Sequence, residues 1–502
     1  MESILGLDLG TTALKCALHD LHGNVIAKAS VEYELITPDA DSVEMDAETY
    51  WTAFKSALSN VLKDSGVNPS SIRALGISAQ GETLILADKH GKPLRRAIVW
   101  LDNRAQQEAA ELDEKFGSQQ TYEITGQVKI VPTWPASKIL WIRNHEPQIF
   151  EKTGKFLLLE DHFLHRLTGE FVCEGSLVTS TCYWNFRTRH WWPEMLAELG
   201  ISTDQLPEYC ESGEVVGRLC KDTAEELGLN PETLVCTGAL DQACGAIGVG
   251  NIQPGIFSEN TGAALAICAS VKQATLDPAG QMPCHYHGLP GLYMLHTFTG
   301  GGIVLRWFRD EFAKMEMEVG KTSGLDAYEL LGMEASKVPA GCEGLVMLPH
   351  LQGAMAPEAN PAAKGVFYGF TLRHSRGHFT RAIMEAVCFI VRRNIEVIEG
   401  MGVPVSEVRA LGGGARSAIW KQMEADVTKR LVLTTNNEEA ATLGAAILAG
   451  KATGLYSSVA EAVVQMVQIK SRFEPNRENL SVYDVTFKTY IDLYNALCPL
   501  FS

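Results

Sequence analysis

Asp241 is an acid placed where packing has no use for one. It follows an apolar run that ends Thr237-Gly238-Ala239-Leu240 and precedes the Gly/Ala-rich Ala243 to Gly250. A carboxylate held at the end of a buried element, where nothing apolar needs it, asks for a chemical reason. Shortly after it, Ile256 to Glu259 runs into Asn260-Thr261-Gly262 and out through Ala264 to Val271, the pattern of a tight hairpin. The same pattern opens the chain, where Ile4 to Leu9, carrying Asp8, enters Gly10-Thr11-Thr12 and Ala13 to Leu18 leaves it. A turn of glycine and threonine presents backbone N–H groups and a hydroxyl donor to an anion such as a phosphate. Either hairpin alone reads as an ordinary turn. Two of them, about half a chain apart and each accompanied by an aspartate, point to an internal duplication with one phosphate-facing hairpin in each half.

Two further loops carry recognition chemistry. The strand Ile72 to Ser78 leads into Ala79-Gln80-Gly81-Glu82-Thr83 and on to Leu84-Ile85-Leu86. A polar cluster between strands, with a glycine for close approach, lines a small-molecule site as readily as it forms a solvated turn. Ala97 to Arg104 ends an apolar strand in Trp100, Asp102 and Arg104, a flat apolar face beside hydrogen-bonding groups, which is the mixture sugar recognition needs. From spacing alone, Asp102 and Arg104 pair with each other equally well. Farther on, Gly300-Gly301-Gly302 opens a helical pattern, and Gly412-Gly413-Gly414 joins the strand Val408 to Leu411 to a helix from Ser417 to Arg430. Glycines there allow close backbone approach at a helix N-terminus that favours an anion, although close packing would also account for them.

These groups need a scaffold of strands and helices. With 502 residues, 46% of them hydrophobic, the chain is long enough for two or more domains with large cores. About five strand or hairpin patterns per half alternate with amphipathic helices. One follows Asp46 and carries Trp51, Phe54, Leu58, Val61 and Leu62 at helical spacing. The fold class is α/β. The small residues of Thr442 to Ala449 read as helix packing, and the aromatic Glu160 to Trp192 region as a local core. No stretch approaches the roughly 18 uncharged apolar residues of a membrane span, and Met1-Glu2-Ser3 runs at once into a strand, so no membrane role and a cytoplasmic location are expected. A net charge of −17 without Lys/Arg clusters argues against nucleic acid. The twelve cysteines are dispersed without a Cys-x-x-Cys pair, which indicates neither a disulfide scaffold nor structural zinc; Cys284-His285-Tyr286-His287 reads as a polar loop segment.

Asp8-Leu9-Gly10-Thr11-Thr12, Gly238 to Gly245 around Asp241, Lys364 to Phe370, and Gly412 to Ser417 resemble, in order and across nearly the whole chain, the landmarks of the FGGY carbohydrate kinases. Val131 to Trp141, feeding a helix through Lys138, resembles the family's first signature, with Thr133 departing from it. The resemblance implies two ribonuclease H-like domains of the actin and sugar kinase superfamily flanking a deep cleft. Residues 1–250 would mainly bind the sugar and 251–502 the nucleotide. It also implies ATP and Mg²⁺, with Asp241 as base and Asp8 holding the ion through water. Gly10, Thr11, Thr12, Thr261, Gly262 and Gly302 would surround the phosphates, with Gly413, Gly414 and Ser417 near the nucleoside. Gln80, Glu82, Trp100, Asp102, Asp241 and Gln242 are the expected substrate contacts.

The loops mix two subfamilies. Trp100-Leu101-Asp102-Asn103-Arg104 resembles the Trp-x-Asp-x-Arg of xylulokinases, whereas Gln80-Gly81-Glu82-Thr83 and Asp241-Gln242 look closer to glycerol kinases, with Gly81 in place of an Arg. Gly81 enlarges the pocket, so a substrate larger than glycerol is expected, a ketopentose such as xylulose or a polyol or sugar acid of similar size. A homodimer is compatible with the resemblance. An actin-like ATPase and a sugar-sensing protein without turnover are the other classes; the first would have no need of the Gln80 and Trp100 loops.

Overall fold

The computed structural model describes residues 2–501. Two large sheets are built on one plan. In the first, the strand order is Val215–Arg218, Leu234–Leu240, Ile72–Ala79, Ser3–Leu9, Ala13–Asp20, Val25–Glu32. The trio Leu234–Leu240, Ile72–Ala79 and Ser3–Leu9 is parallel, and the flanking strands are antiparallel. Ser3–Leu9 is buried almost throughout, as its continuous apolar run requires of a central strand. In the second sheet, Ile469–Phe473, Leu431–Thr435, Glu407–Leu411, Ile256–Thr261, Ala264–Val271 and Tyr293–Gly300 repeat both order and sense. The short strand Cys284–Tyr286 adds one edge. The two Gly/Thr hairpins occupy equivalent places.

Each parallel trio ends in a helix, Asp241–Gly248 in the first half and Ala440–Ala452 in the second. The two helices pack together through their small residues. A Cβ on Gly248 would lie 1.9 Å from the Ala440 carbonyl oxygen, and one on Gly444 would lie 1.9 Å from that of Cys244. Only glycine permits so close a backbone approach. Leu443 and Ile447 of the second helix sit in the core of the first sheet with Ile4, Leu75 and Ile77. Glu439, just ahead of that helix, reaches Lys15 at 3.3 Å and Lys28 at 2.9 Å, so charge also joins the halves.

A third core, with Leu84, Ile98, Ile139, Phe156 and Trp192, belongs to the long segment between Ile72–Ala79 and Leu234–Leu240. It supports the Gln80 and Trp100 loops. The aromatic region packs locally as expected, with Trp184 stacked on Tyr209 at 4.7 Å. The reading of Cys284 to His287 as a polar loop is corrected: Cys284–Tyr286 is a buried strand, with His285 buried inside it and His287 buried just after it. Burial pushes both imidazoles down, to about 3 and about 4, so they pack as neutral rings. All twelve cysteines are free, and among the described residues no helix is long and apolar enough to cross a membrane.

Candidate active site

Ala79 is the hub of the first sheet's carboxyl edge, pairing with Leu9 on one side and Leu240 on the other. Three loops therefore start side by side: Gly10-Thr11-Thr12, Gln80 to Thr83, and Asp241. The carboxyl ends of parallel strands are where open α/β sheets bind ligands. Asp241 is the first residue of its helix, and its carboxylate accepts the Gln242 N–H at 2.7 Å. Burial, then Asp8, then Glu82 raise its pKa to about 7, against the pull of the Gln242 bonds. Solvent still touches the residue, as suits a group at the base of a cleft. Asp8 accepts a hydrogen bond from Ser78 at 3.0 Å, and burial raises its pKa while Lys15 lowers it.

The recognition loops are tied to the first hairpin. Gln80 is buried; its amide donates to the Gly10 carbonyl at 3.1 Å and to Tyr50 at 3.3 Å, and its carbonyl accepts from Thr83 at 3.2 Å. Trp100 donates its indole N–H to Thr11 at 2.7 Å. Its ring meets Phe298 edge-on at 6.0 Å, a contact with strand Tyr293–Gly300 of the other sheet. Glu82 has φ +56°, a conformation costly for a side chain with a Cβ and most often found at functional sites. Burial raises its pKa, and Lys138 and Ser180 oppose the rise. Lys138 is fully buried and donates to the carbonyls of Glu82 at 2.9 Å and Val99 at 3.0 Å, clamping the two loops together. Asp102 does pair with Arg104, at 2.8 Å, and accepts the Val43 N–H at 2.6 Å from a fully buried position. Arg104 is engaged a second time by Glu44 at 2.9 Å.

The second sheet offers the matching edge. Gly302 donates its N–H to the Gly262 carbonyl at 3.0 Å, and Gly414 lies so close that a Cβ would fall 2.7 Å from that of Thr261. Gly262, Gly302, Gly413 and Gly414 thus gather around one hairpin. The Thr261 hydroxyl donates to the buried Glu259, which pairs with Lys421 at 2.6 Å. Ser417 caps the helix Ala418–Thr428 by accepting the Trp420 N–H. Beside it lies a concavity lined by Leu411, Gly412, Ala415, Arg416, Thr435 and Asn437.

Two family models divide the chain between them. The one described as the FGGY family of carbohydrate kinases, N-terminal domain, matches residues 3–248, and its C-terminal counterpart matches residues 269–453. The chain belongs to the FGGY family of carbohydrate kinases. It is 32% identical to the xylulose kinase of Bacillus subtilis over 98% of this chain and 97% of the relative. It is equally 32% identical to the gluconokinase of the same organism, over 98% and 96%. Among solved structures, ligand-bound xylulose kinase from Lactobacillus acidophilus superposes with a TM-score of 0.90, at 27% identity and 100% and 99% coverage. This FGGY kinase is accordingly a phosphotransferase with an alcohol group as acceptor, and its two domains have the ribonuclease H-like fold.

Sequence reasoning missed several residues that hold this FGGY site in shape. Ser78, Tyr33 (whose hydroxyl donates to the Gly10 carbonyl) and the Glu259–Lys421 pair were not singled out. The acids Glu160 and Asp161, interrupting the apolar run Phe156 to Phe163, were a signal of that kind.

Proposed function

We propose that the protein transfers the γ-phosphoryl group of ATP to a hydroxyl of a small neutral sugar or polyol, a ketopentose such as xylulose being the best-matched substrate. The observation that carries this reading is the charge of the recognition subsite. Asp241 is influenced by the acids Asp8 and Glu82, while the basic side chains of the loops are committed, Arg104 to Asp102 and Glu44 and Lys138 to two carbonyls. A sugar acid would bring another negative charge to these carboxylates without a free cation from those loops to meet it. An uncharged polyol asks only for hydrogen bonds.

Asp241 takes the proton of the attacking hydroxyl, late along a loose transition state in which positioning and charge neutralisation dominate. Glu82, Gln242 and the Trp100 face contact the substrate, with Gln80 and Asp102 holding their loops from behind. Gly10, Thr11, Thr12, Thr261, Gly262 and Gly302 surround the phosphates, and Gly413, Gly414 and Ser417 the nucleoside. The neighbouring carboxylates Asp8 and Asp241 suit Mg²⁺, which prefers oxygen ligands and keeps most of its water, and Asp8 would hold it through that shell. When bound, the ion neutralises phosphate charge. With saturating MgATP and a panel of ketopentoses, glycerol, longer polyols and gluconate, ³¹P NMR of the products tests the reading. A phosphorylated ketopentose or polyol is expected; gluconate as the preferred acceptor would contradict it.

A further inference from the structure

The strand that delivers Asp241 is bulged, and the bulge is held by buried acids. Against Ile72–Ala79, Cys236 pairs with Gly76 and Ala239 with Ser78, so Thr237 and Gly238 together oppose the single residue Ile77. Such a bulge bends the strand and re-aims the residues beyond it. Gly238 has no alternative here: a Cβ would stand 1.4 Å from the Ile77 carbonyl oxygen. Breaking the ladder leaves interior N–H groups in need of acceptors, because an unpaired buried N–H costs as much as a lost hydrogen bond. Two side chains from the neighbouring segment supply acceptors here, one at the bulge and one two residues beyond it. Glu160 accepts the Gly238 N–H at 2.9 Å, and the Ser176 hydroxyl accepts the Leu240 N–H at 2.8 Å. Ser176 in turn donates to Glu174 at 2.6 Å, and Glu174 also accepts the Ser176 and Leu177 N–H groups and the Ser212 hydroxyl. Leu240 is the residue immediately before Asp241.

We infer that Glu160 and the Ser176–Glu174 pair are positioning residues for Asp241: by satisfying one amide of the bulge and the amide of Leu240 just ahead of Asp241 they fix the angle at which its carboxylate enters the cleft. The inference rests on Asp241 being the base. Glu160, Ser176 and Glu174 are all fully buried, and among the described residues no Lys or Arg pairs with either acid. Two uncompensated charges so placed would be prohibitive, and one acid is held neutral. Burial and the Glu174 charge push the Glu160 pKa well up, so Glu160 is the protonated member, and one of its oxygens has no partner. A neutral acid serves as an acceptor for Gly238 just as a glutamine carbonyl does. Burial raises the Glu174 pKa as well, and the two amides and two hydroxyls it accepts oppose that rise, which Glu160, with one accepted amide, lacks.

The test is steady-state kinetics of the full-length enzyme, normalised by active-site titration with nucleotide, on E160Q, E160M, S176A and D241N. E160Q is expected to retain kcat. E160M and S176A are expected to lose roughly tenfold to a hundredfold in kcat with KM for ATP unchanged, since a small misplacement of a reacting group costs that much. S176A removes a single oxygen, so it reports on positioning even if E160M does not fold. Equal losses in E160Q and E160M would overturn the role of a neutral acceptor. Wild-type kcat in E160M and S176A beside an inactive D241N would overturn the inference while leaving Asp241 as base. An active D241N would overturn the base assignment and this inference with it.

Discussion

The Asp8 carboxylate raises the proton affinity of Asp241 across one intervening strand: the strand that carries Asp8 and the strand that leads into Asp241 both pair with Ile72–Ala79. Together with burial and Glu82, this brings Asp241 to about 7. A base must be ionised, so kcat/KM for the sugar should rise with pH through about 7. E82Q removes one negative neighbour and should move that limb to lower pH. A limb that E82Q leaves in place would show that Glu82 does not act on the base.

The same shift makes stability depend on pH. A folded-state pKa raised above the unfolded value of 3.8 means that the fold holds this proton more tightly. Stability from Asp241 is therefore fully present below about 4 and lost as pH rises through about 7. D241N, which cannot ionise, should melt above wild type at pH 8, and the difference should vanish near pH 4. Thermal unfolding at both pH values checks the sign.

Gly444 and Gly248 let two helices touch backbone to backbone, so G444A should overpack the junction between the halves. A Cβ there would fall 1.9 Å from the Cys244 carbonyl oxygen. A loss of about 1–3 kcal/mol is expected, read as a lower Tm. G400A is the control, because nothing lies within 4 Å of its added methyl. If the two variants melt alike, the close approach does not govern stability.

Lys138 should matter to the sugar more than to ATP. K138M leaves the Glu82 and Val99 carbonyls without their donor and frees the strained Glu82. Burial lowers the Lys138 pKa to about 7, and leaving two buried carbonyls without a donor costs about 1–3 kcal/mol each, so KM for the sugar should rise tenfold or more while KM for ATP stays near its wild-type value. Parallel rises in both would show general loosening instead.

What the sequence made legible was local. Asp8 and Asp241 were visible as acids ending apolar runs, and Gly10 to Thr12 and Asn260 to Gly262 as turns with a repeated composition. The helix Ala440–Ala452 was legible as a packing helix from its small residues, but its partner was not, because period and composition do not say that Gly444 meets Cys244. Trp100 was read by its face alone; the bond from its indole to Thr11 depends on a contact distant in sequence. Asp102 and Arg104 had two equal readings from spacing, and the structure shows their ion pair with Asp102 fully buried. Cys284 to His287 misled because histidines count as polar in a pattern, yet neutral imidazoles pack in a core. Glu160 acts through an amide of a bulge and Glu174 through Ser176 on an amide just beyond it, and a bulge is a property of pairing between strands far apart in the chain.

The central claim is that Asp241 drives sugar-dependent phosphoryl transfer, and ADP release from MgATP by wild type and D241N, with and without ketopentose, tests it most directly. Wild type should release ADP only with the sugar, and D241N should be slower by about 10² to 10⁴ with KM little changed. Release indifferent to the sugar, or equal in the two proteins, would contradict the account.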